Sequence, residues 1–169
     1  MSFTYQTNYS KYIEKLYGIK RNIHNDLNLI NSNNLTLPHN YVINNRTDLT
    51  AIETYSIDPD GCEDADDAFS IYQQNDKLYI ATHIADPTEY ININSALWQD
   101  VENRIITKYP SNTKPIHMLP NSIMERASLM DNAYGNIKNA ITVLTEIDKD
   151  TFLPENNIKL LRGCFEYAL

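Results

Sequence analysis

Apolar residues recur every three or four positions near the start of the chain, at Tyr9, Tyr12, Ile13, Leu16 and Tyr17, and this spacing predicts an amphipathic helix. Gly18 would end it, and a second short helix is expected through Leu27 and Ile30. Residues 31–49 are polar and Asn-rich, with Pro38 and Asn44-Asn45 as loop markers. Residues 1–45 therefore read as a helical appendage and linker, and residues 46–169 as the main fold. From Thr50 the period changes to two, predicting a strand of mixed polarity through Ile57. Two further strands, Ala68–Tyr72 and Lys77–Ile84, are expected to form a hairpin joined at Gln74-Asn75-Asp76. Ser95 reads as the N-cap of a helix containing Leu97, Val101, Ile105 and Ile106. After a proline-rich loop, a short helix is expected from Pro120-Asn121-Ser122 toward Arg126. Two last strands follow, Lys138–Ile147 and Asn156–Phe165, with a turn near Asp148-Lys149-Asp150. Helices and strands are interspersed without a βαβ rhythm, so the predicted class is α+β: an antiparallel-rich sheet with flanking helices.

A length of 169 residues and a hydrophobic content of 42% suffice for one domain with a real core. The net charge of −8 argues against a stand-alone nucleic-acid binder. It does not exclude an enzyme acting on phosphodiesters, because a bound metal reverses the local sign. Two cysteines, Cys62 and Cys164, match no zinc spacing and are expected to be reduced, as in a cytoplasmic or nuclear protein. No signal peptide is apparent, so secretion is not expected, and no apolar stretch is long enough to span a bilayer.

The chemistry concentrates between two predicted strands. The stretch Ser56-Ile57-Asp58-Pro59-Asp60-Gly61-Cys62-Glu63-Asp64-Ala65-Asp66-Asp67 holds six carboxylates and no Lys or Arg. Two carboxylates about 4 Å apart repel by roughly 4 kcal/mol at an effective dielectric of 20. Protonation or a shared cation relieves that repulsion. Hard oxygen donors without His suit Mg²⁺, Mn²⁺ or Ca²⁺ rather than zinc. An EF-hand is a poor match, since the flanks read as strands and position 12 would be Asp67 instead of a bidentate Glu. A solvated acidic loop without function is the remaining bland reading.

Segment 46–130 closely resembles the start of the catalytic domain of the ribonuclease II family, the RNB domain. The resemblance rests on Asp48-Leu49-Thr50, the acidic stretch through Ala68, Thr82-His83-Ile84-Ala85-Asp86-Pro87, Met118-Leu119-Pro120 and Ala127-Ser128-Leu129, all in the family's order. The wording Ser-Ile-Asp-Pro-x-Gly-Cys-x-Asp is similar to the exosome-type branch. The resemblance implies part of an RNB fold and a Mg²⁺-dependent (or Mn²⁺-dependent) 3′-to-5′ exoribonuclease releasing 5′-mononucleotides from single-stranded RNA. It makes Asp58, Asp64 and Asp67 metal ligands and Asp66 a catalytic acidic residue. It also aligns Tyr109 with an aromatic that stacks on RNA bases, against the alternative of an ordinary loop Tyr. Arg104 is an expected RNA contact, with a solvated helix face as its alternative. His83 is expected to be a hydrogen-bonded strand residue rather than a general base, and Asp86 a turn former rather than a fifth ligand. The family's downstream Tyr and phosphate-contacting Arg have no confident match, Tyr167 included. Weak or no turnover by this polypeptide alone is therefore expected, whether it is a split gene product, a truncated reading frame or a subunit completed by a second chain as partner. A catalytically inactive RNA- or partner-binding remnant is the alternative.

Overall fold

The computed structural model describes residues 15–16, 27–34, 45–60, 62, 64–111 and 114–166. The helix predicted over residues 9–17 falls outside these apart from Lys15 and Leu16, which are helical. The linker segment 35–44 and Tyr167 also lie outside them. The chain forms two compact units, one of residues 1–36 and 88–124, the other of residues 37–87 and 125–169.

In the first unit, α1 (Leu27–Ser32) and α2 (Ala96–Arg104) are joined by hydrogen bonds rather than by apolar contact alone. The Ser32 hydroxyl accepts from the Leu97 amide at 2.9 Å. Asn33 donates to the Tyr90 carbonyl at 2.8 Å and accepts from the Asn92 amide at 2.7 Å. Tyr90 closes a 3₁₀ turn over Pro87–Tyr90. Ser95 is the N-cap of α2 as expected, its hydroxyl accepting from the Trp98 amide at 3.0 Å. The helix ends earlier than its apolar spacing suggested. Leu97, Val101 and Arg104 form its buried stripe, whereas Ile105 and Ile106 are exposed and lie beyond the end. Ile105 has a φ of 68°, which stops the helix there. A short helix α3 (Asn121–Ala127) forms where expected.

The second unit is a five-stranded sheet in the order β1-β5-β4-β3-β2. Its strands are β1 (Thr47–Asp48), β2 (Asp67–Gln74), β3 (Lys77–Ala85), β4 (Ile137–Ile147) and β5 (Pro154–Glu166). All neighbours are antiparallel except the short β1, which runs parallel to β5. The β2–β3 hairpin turns at Asn75 and Asp76, both at positive φ (49° and 61°), the signature of a two-residue turn that follows the sheet's twist. At the β4–β5 turn, Asp148 accepts from the amides of Asp150 and Thr151. The strand expected over residues 50–57 is reduced to one bridge, Tyr55 with Phe69. A turn before it, with the Ile52 amide on the Leu49 carbonyl at 3.0 Å, leaves no room for a longer ladder.

The sheet's two faces differ. One buries Ala68, Ser70, Ala81, His83, Ala140, Thr142, Gly163 and Phe165. Ala65, Ala68, Leu129, Ala140 and Phe165 form its apolar centre, with Leu49, Ala85 and Met130 against it. Gly163 has no room for a side chain, since a Cβ there would meet the Thr142 hydroxyl at 3.0 Å and a Leu49 methyl at 3.1 Å. The other face presents Ile71, Ile84, Ile158 and Leu160 to solvent.

Candidate metal centre

The acidic stretch is a loop between the Tyr55–Phe69 bridge and the start of β2. The bridge makes two hydrogen bonds, Tyr55 amide to Phe69 carbonyl at 2.9 Å and Phe69 amide to Tyr55 carbonyl at 2.7 Å. Its far end is held backbone to backbone. The Ala85 amide donates to the Asp66 carbonyl at 2.9 Å, and the Leu129 amide to the Ala65 carbonyl at 2.9 Å. Ala65 is fully buried in the apolar centre, so the flanking Asp64 and Asp66 are fixed by their neighbour's packing. Cys62 adds a thiol donor to the Asp64 carbonyl at 3.0 Å. Both cysteines are free thiols, as the sequence led us to expect.

These contacts crowd the carboxylates. The carboxyl of Asp66 titrates above its ordinary value, first because its surroundings desolvate it and then because Asp64, Asp67 and Asp58 all lie within range of its charge. One oxygen of Asp64, Oδ1, is buried and has no hydrogen-bond partner among the described residues. A buried carboxylate oxygen is ordinarily satisfied by a donor or a cation. The donor set is all oxygen and fits a hard divalent ion in kind. Among the described residues, however, no three His, Cys, Asp or Glu side chains are grouped closely enough to hold a metal ion. The fold thus gathers the four aspartates on one pinned loop without drawing Asp58, Asp64 and Asp67 into a coordination shell. Asp58, Asp60, Asp66 and Asp67 are exposed.

The other expected site residues lie in the first unit. Tyr109 is 77% exposed, a geometry that leaves its ring free to stack. Arg104, expected on an open helix face or against phosphate, is instead fully buried. Its Nε donates to Asp100 at 2.6 Å and its Nη1 to the His117 carbonyl at 3.3 Å, so its charge is neutralised inside its own unit. Its carbonyl accepts from Lys108 Nζ at 2.8 Å, which ties the helix end to the residue before Tyr109.

Two residues near the loop carry more structure than their sequence context suggested. Asp86, expected as a turn former, is buried and paired with Arg46. The same guanidinium donates to the carbonyls of Ala140 at 2.8 Å and Gly163 at 3.2 Å, linking the residue that follows β3 to β4 and β5. An Arg two residues before Asp48-Leu49 and an Asp before Pro87 are far apart in sequence, and no periodicity pairs them. His83 is a hydrogen-bonded strand residue as expected: Nε2 lies 3.0 Å from Ser70 Oγ and Nδ1 2.9 Å from Thr142 Oγ1. Burial pushes its pKa down to about 4, so it is neutral at physiological pH.

Comparison with known proteins bears on the family and the fold. The family model of the RNB domain matches residues 46–161. Exoribonuclease 2 of Photorhabdus laumondii is 41% identical over 90 residues, covering 52% of this chain and 14% of that protein. Ribonuclease R of Chlamydia muridarum is 32% identical over 117 residues, covering 69% of this chain and 16% of that protein. Among solved structures, Mycoplasma genitalium RNase R in complex with ribose-methylated single-stranded RNA superposes with a TM-score of 0.74 at 20% identity. That match covers 94% of this chain and 24% of the RNase R chain. Dss1 exoribonuclease from Candida glabrata gives a TM-score of 0.61 at 19% identity. The chain therefore spans a minor part of the proteins it matches. No helix among the described residues is long and apolar enough to cross a membrane.

Proposed function

Because this chain belongs to the RNB domain family, we propose that it contributes the acidic half of a 3′-to-5′ exoribonuclease site acting on single-stranded RNA. The observation that carries this reading is the pinned loop on which Asp66 feels the charges of Asp58, Asp64 and Asp67. In it, Asp58, Asp64 and Asp67 would hold Mg²⁺, with Mn²⁺ as a substitute, once drawn closer than they stand here. Such an ion, when bound, polarises a scissile phosphate and lowers the pKa of water. The chain's own residues do the rest of the work assigned here. Ala65 and the Ala85 and Leu129 amides fix the loop backbone, and Asp66 keeps a carboxylate at the reacting phosphate to orient an attacking water. Tyr109 stacks on bases, an interaction of about 1–3 kcal/mol per base that tolerates any sequence. Arg104 supports the segment carrying Tyr109 from within instead of touching phosphate.

The test is a Mn²⁺ titration followed by electron paramagnetic resonance, comparing the wild-type chain with Asp67→Asn. The expected result is affinity at least about tenfold weaker in the variant, the loss a deleted charged ligand gives. Equal affinity in the two proteins would remove Asp67 from the ligand set.

A further inference from the structure

A single chain of buried hydrogen bonds closes the neck of the acidic loop. Thr54, one residue before the Tyr55–Phe69 bridge, and Ser70, one residue after it, meet through their hydroxyls at 2.8 Å. Ser70 Oγ continues to His83 Nε2 at 3.0 Å, and His83 Nδ1 to Thr142 Oγ1 at 2.9 Å. At the other end the Thr54 hydroxyl donates to the Ile52 carbonyl at 3.2 Å. All four side chains are at most 1% exposed.

The last contact fixes the direction of every proton. If Thr54 donates to Ile52, its oxygen must accept from Ser70; Ser70 then accepts from His83, so the ring carries its proton on Nε2. Nδ1 is left to accept from Thr142. The result is one directed relay, Thr142 to His83 to Ser70 to Thr54 to Ile52, in which each member's satisfaction depends on the next. It crosses β4, β3, β2 and the segment before the loop. The ring of His83 also packs on Phe165 of β5, centroids 4.6 Å apart.

We propose that Thr54, Ser70 and His83 are positioning residues that hold the neck of the four-aspartate loop in one register, so that Asp58 on the incoming side stays within charge range of Asp66 on the outgoing side. The proposal rests on the reading of that loop as a cation site. Backbone pairing sets this register weakly, because the incoming segment makes one β-bridge and no longer ladder. Along β2 and β3 the pairing is continuous from Asp67 to Gln74 and needs no side-chain help. The neck is where the ladder ends, and the relay takes over there.

The deciding comparison is Thr54→Val against Thr54→Ser. Valine keeps the shape and removes the hydroxyl, stranding the Ser70 proton; serine keeps the hydroxyl and removes a methyl. Two readouts apply to each: hydrogen exchange of the Tyr55 and Phe69 amides relative to Ala81, and Mn²⁺ affinity with the metal alone. Valine should speed exchange at Tyr55 and Phe69 about tenfold and weaken Mn²⁺ binding by a similar factor, as one lost buried hydrogen bond would. Serine should restore both to within about threefold of wild type. Valine behaving as wild type overturns the proposal. So does serine failing like valine, since the loss would then follow the methyl and not the hydroxyl. A wild-type chain that binds no Mn²⁺ would instead defeat the reading of the loop as a cation site, and the exchange data would still decide the relay. Should Thr54→Val fail to fold, Ser70→Ala interrupts the same relay from β2 and carries the same expectations.

Discussion

The two ends of the same sheet are built on different terms. At the loop end, β2, β3, β4 and β5 are tied by the Arg46–Asp86 pair, by the relay through His83 and by the packing of Ala65, Leu129 and Phe165. At the opposite end, the β4–β5 turn exposes Phe152 and Leu153, and β5 is exposed from Pro154 through Leu160. The ion pair there, Lys77 with Glu146, has a half-exposed lysine. Identical strands thus run from an over-determined end to a loosely held one. Fixed geometry at a charged site needs several independent restraints, and the restraints cluster beside the aspartates.

The sharpest way to break this contrast is at Asp86. Asp86→Ala leaves the Arg46 guanidinium buried without its carboxylate, and removing one partner of a buried pair costs about 3–5 kcal/mol. The expected outcome is a fall of that size in unfolding free energy by urea titration, or loss of the folded state at 37 °C. A loss under about 1 kcal/mol would mean that the loop end is no better restrained than the hairpin end. The next effect is pH-dependent. His83 titrates near 4 when folded and near 6.5 when unfolded. Above 6.5 both states are neutral and His83 has no influence on stability. As pH falls through 6.5 the unfolded chain takes up a proton that the folded chain refuses, so stability drops until about pH 4, by on the order of 2–3 kcal/mol. Protonation would also give Nδ1 a hydrogen facing the Thr142 hydroxyl and force the relay to reverse there. Chemical denaturation between pH 7 and pH 4.5 checks this, with His83→Gln as the control in which the His83 share of the slope is gone.

What could be read from the sequence follows the same division. The hairpin, the α2 N-cap, α3 and the two long strands were legible because each depends on neighbours within a few residues: a turn dipeptide, a capping Ser, an alternating run. The acidic loop was legible for the same reason, its charges being contiguous. The relay and the Arg46–Asp86 pair were not. They join residues separated by 13, 16, 59 and 40 positions, and single Ser, Thr and Arg residues carry no periodic signal. His83 shows the boundary well: its strand position could be anticipated, but its partners could not. Arg104 shows the opposite error. Helical position and charge point it to solvent or phosphate, whereas Asp100 one turn earlier gives it a reason to be buried. Ile105 and Ile106 continued the helical spacing, yet a positive φ ends the helix before them.

The smallest expected effect tests the loose end itself. Leu160 is 72% exposed on β5, opposite Val143 of β4. Leu160→Thr keeps a strand-compatible residue and removes apolar surface that folding hardly buries, so stability should change by no more than about 0.5 kcal/mol. Its effect on Mn²⁺ affinity should be nil, because no relay or ion pair connects it to the loop. The informative failure is a large loss. A drop above about 2 kcal/mol would show that this exposed face is covered in solution, since burial of a leucine is worth about that much. The asymmetry between the two ends of the sheet would then belong to the isolated chain and not to its working state. Dilution separates the cases: loss that depends on protein concentration identifies a second copy as the cover, whereas loss independent of it leaves the contact within the chain.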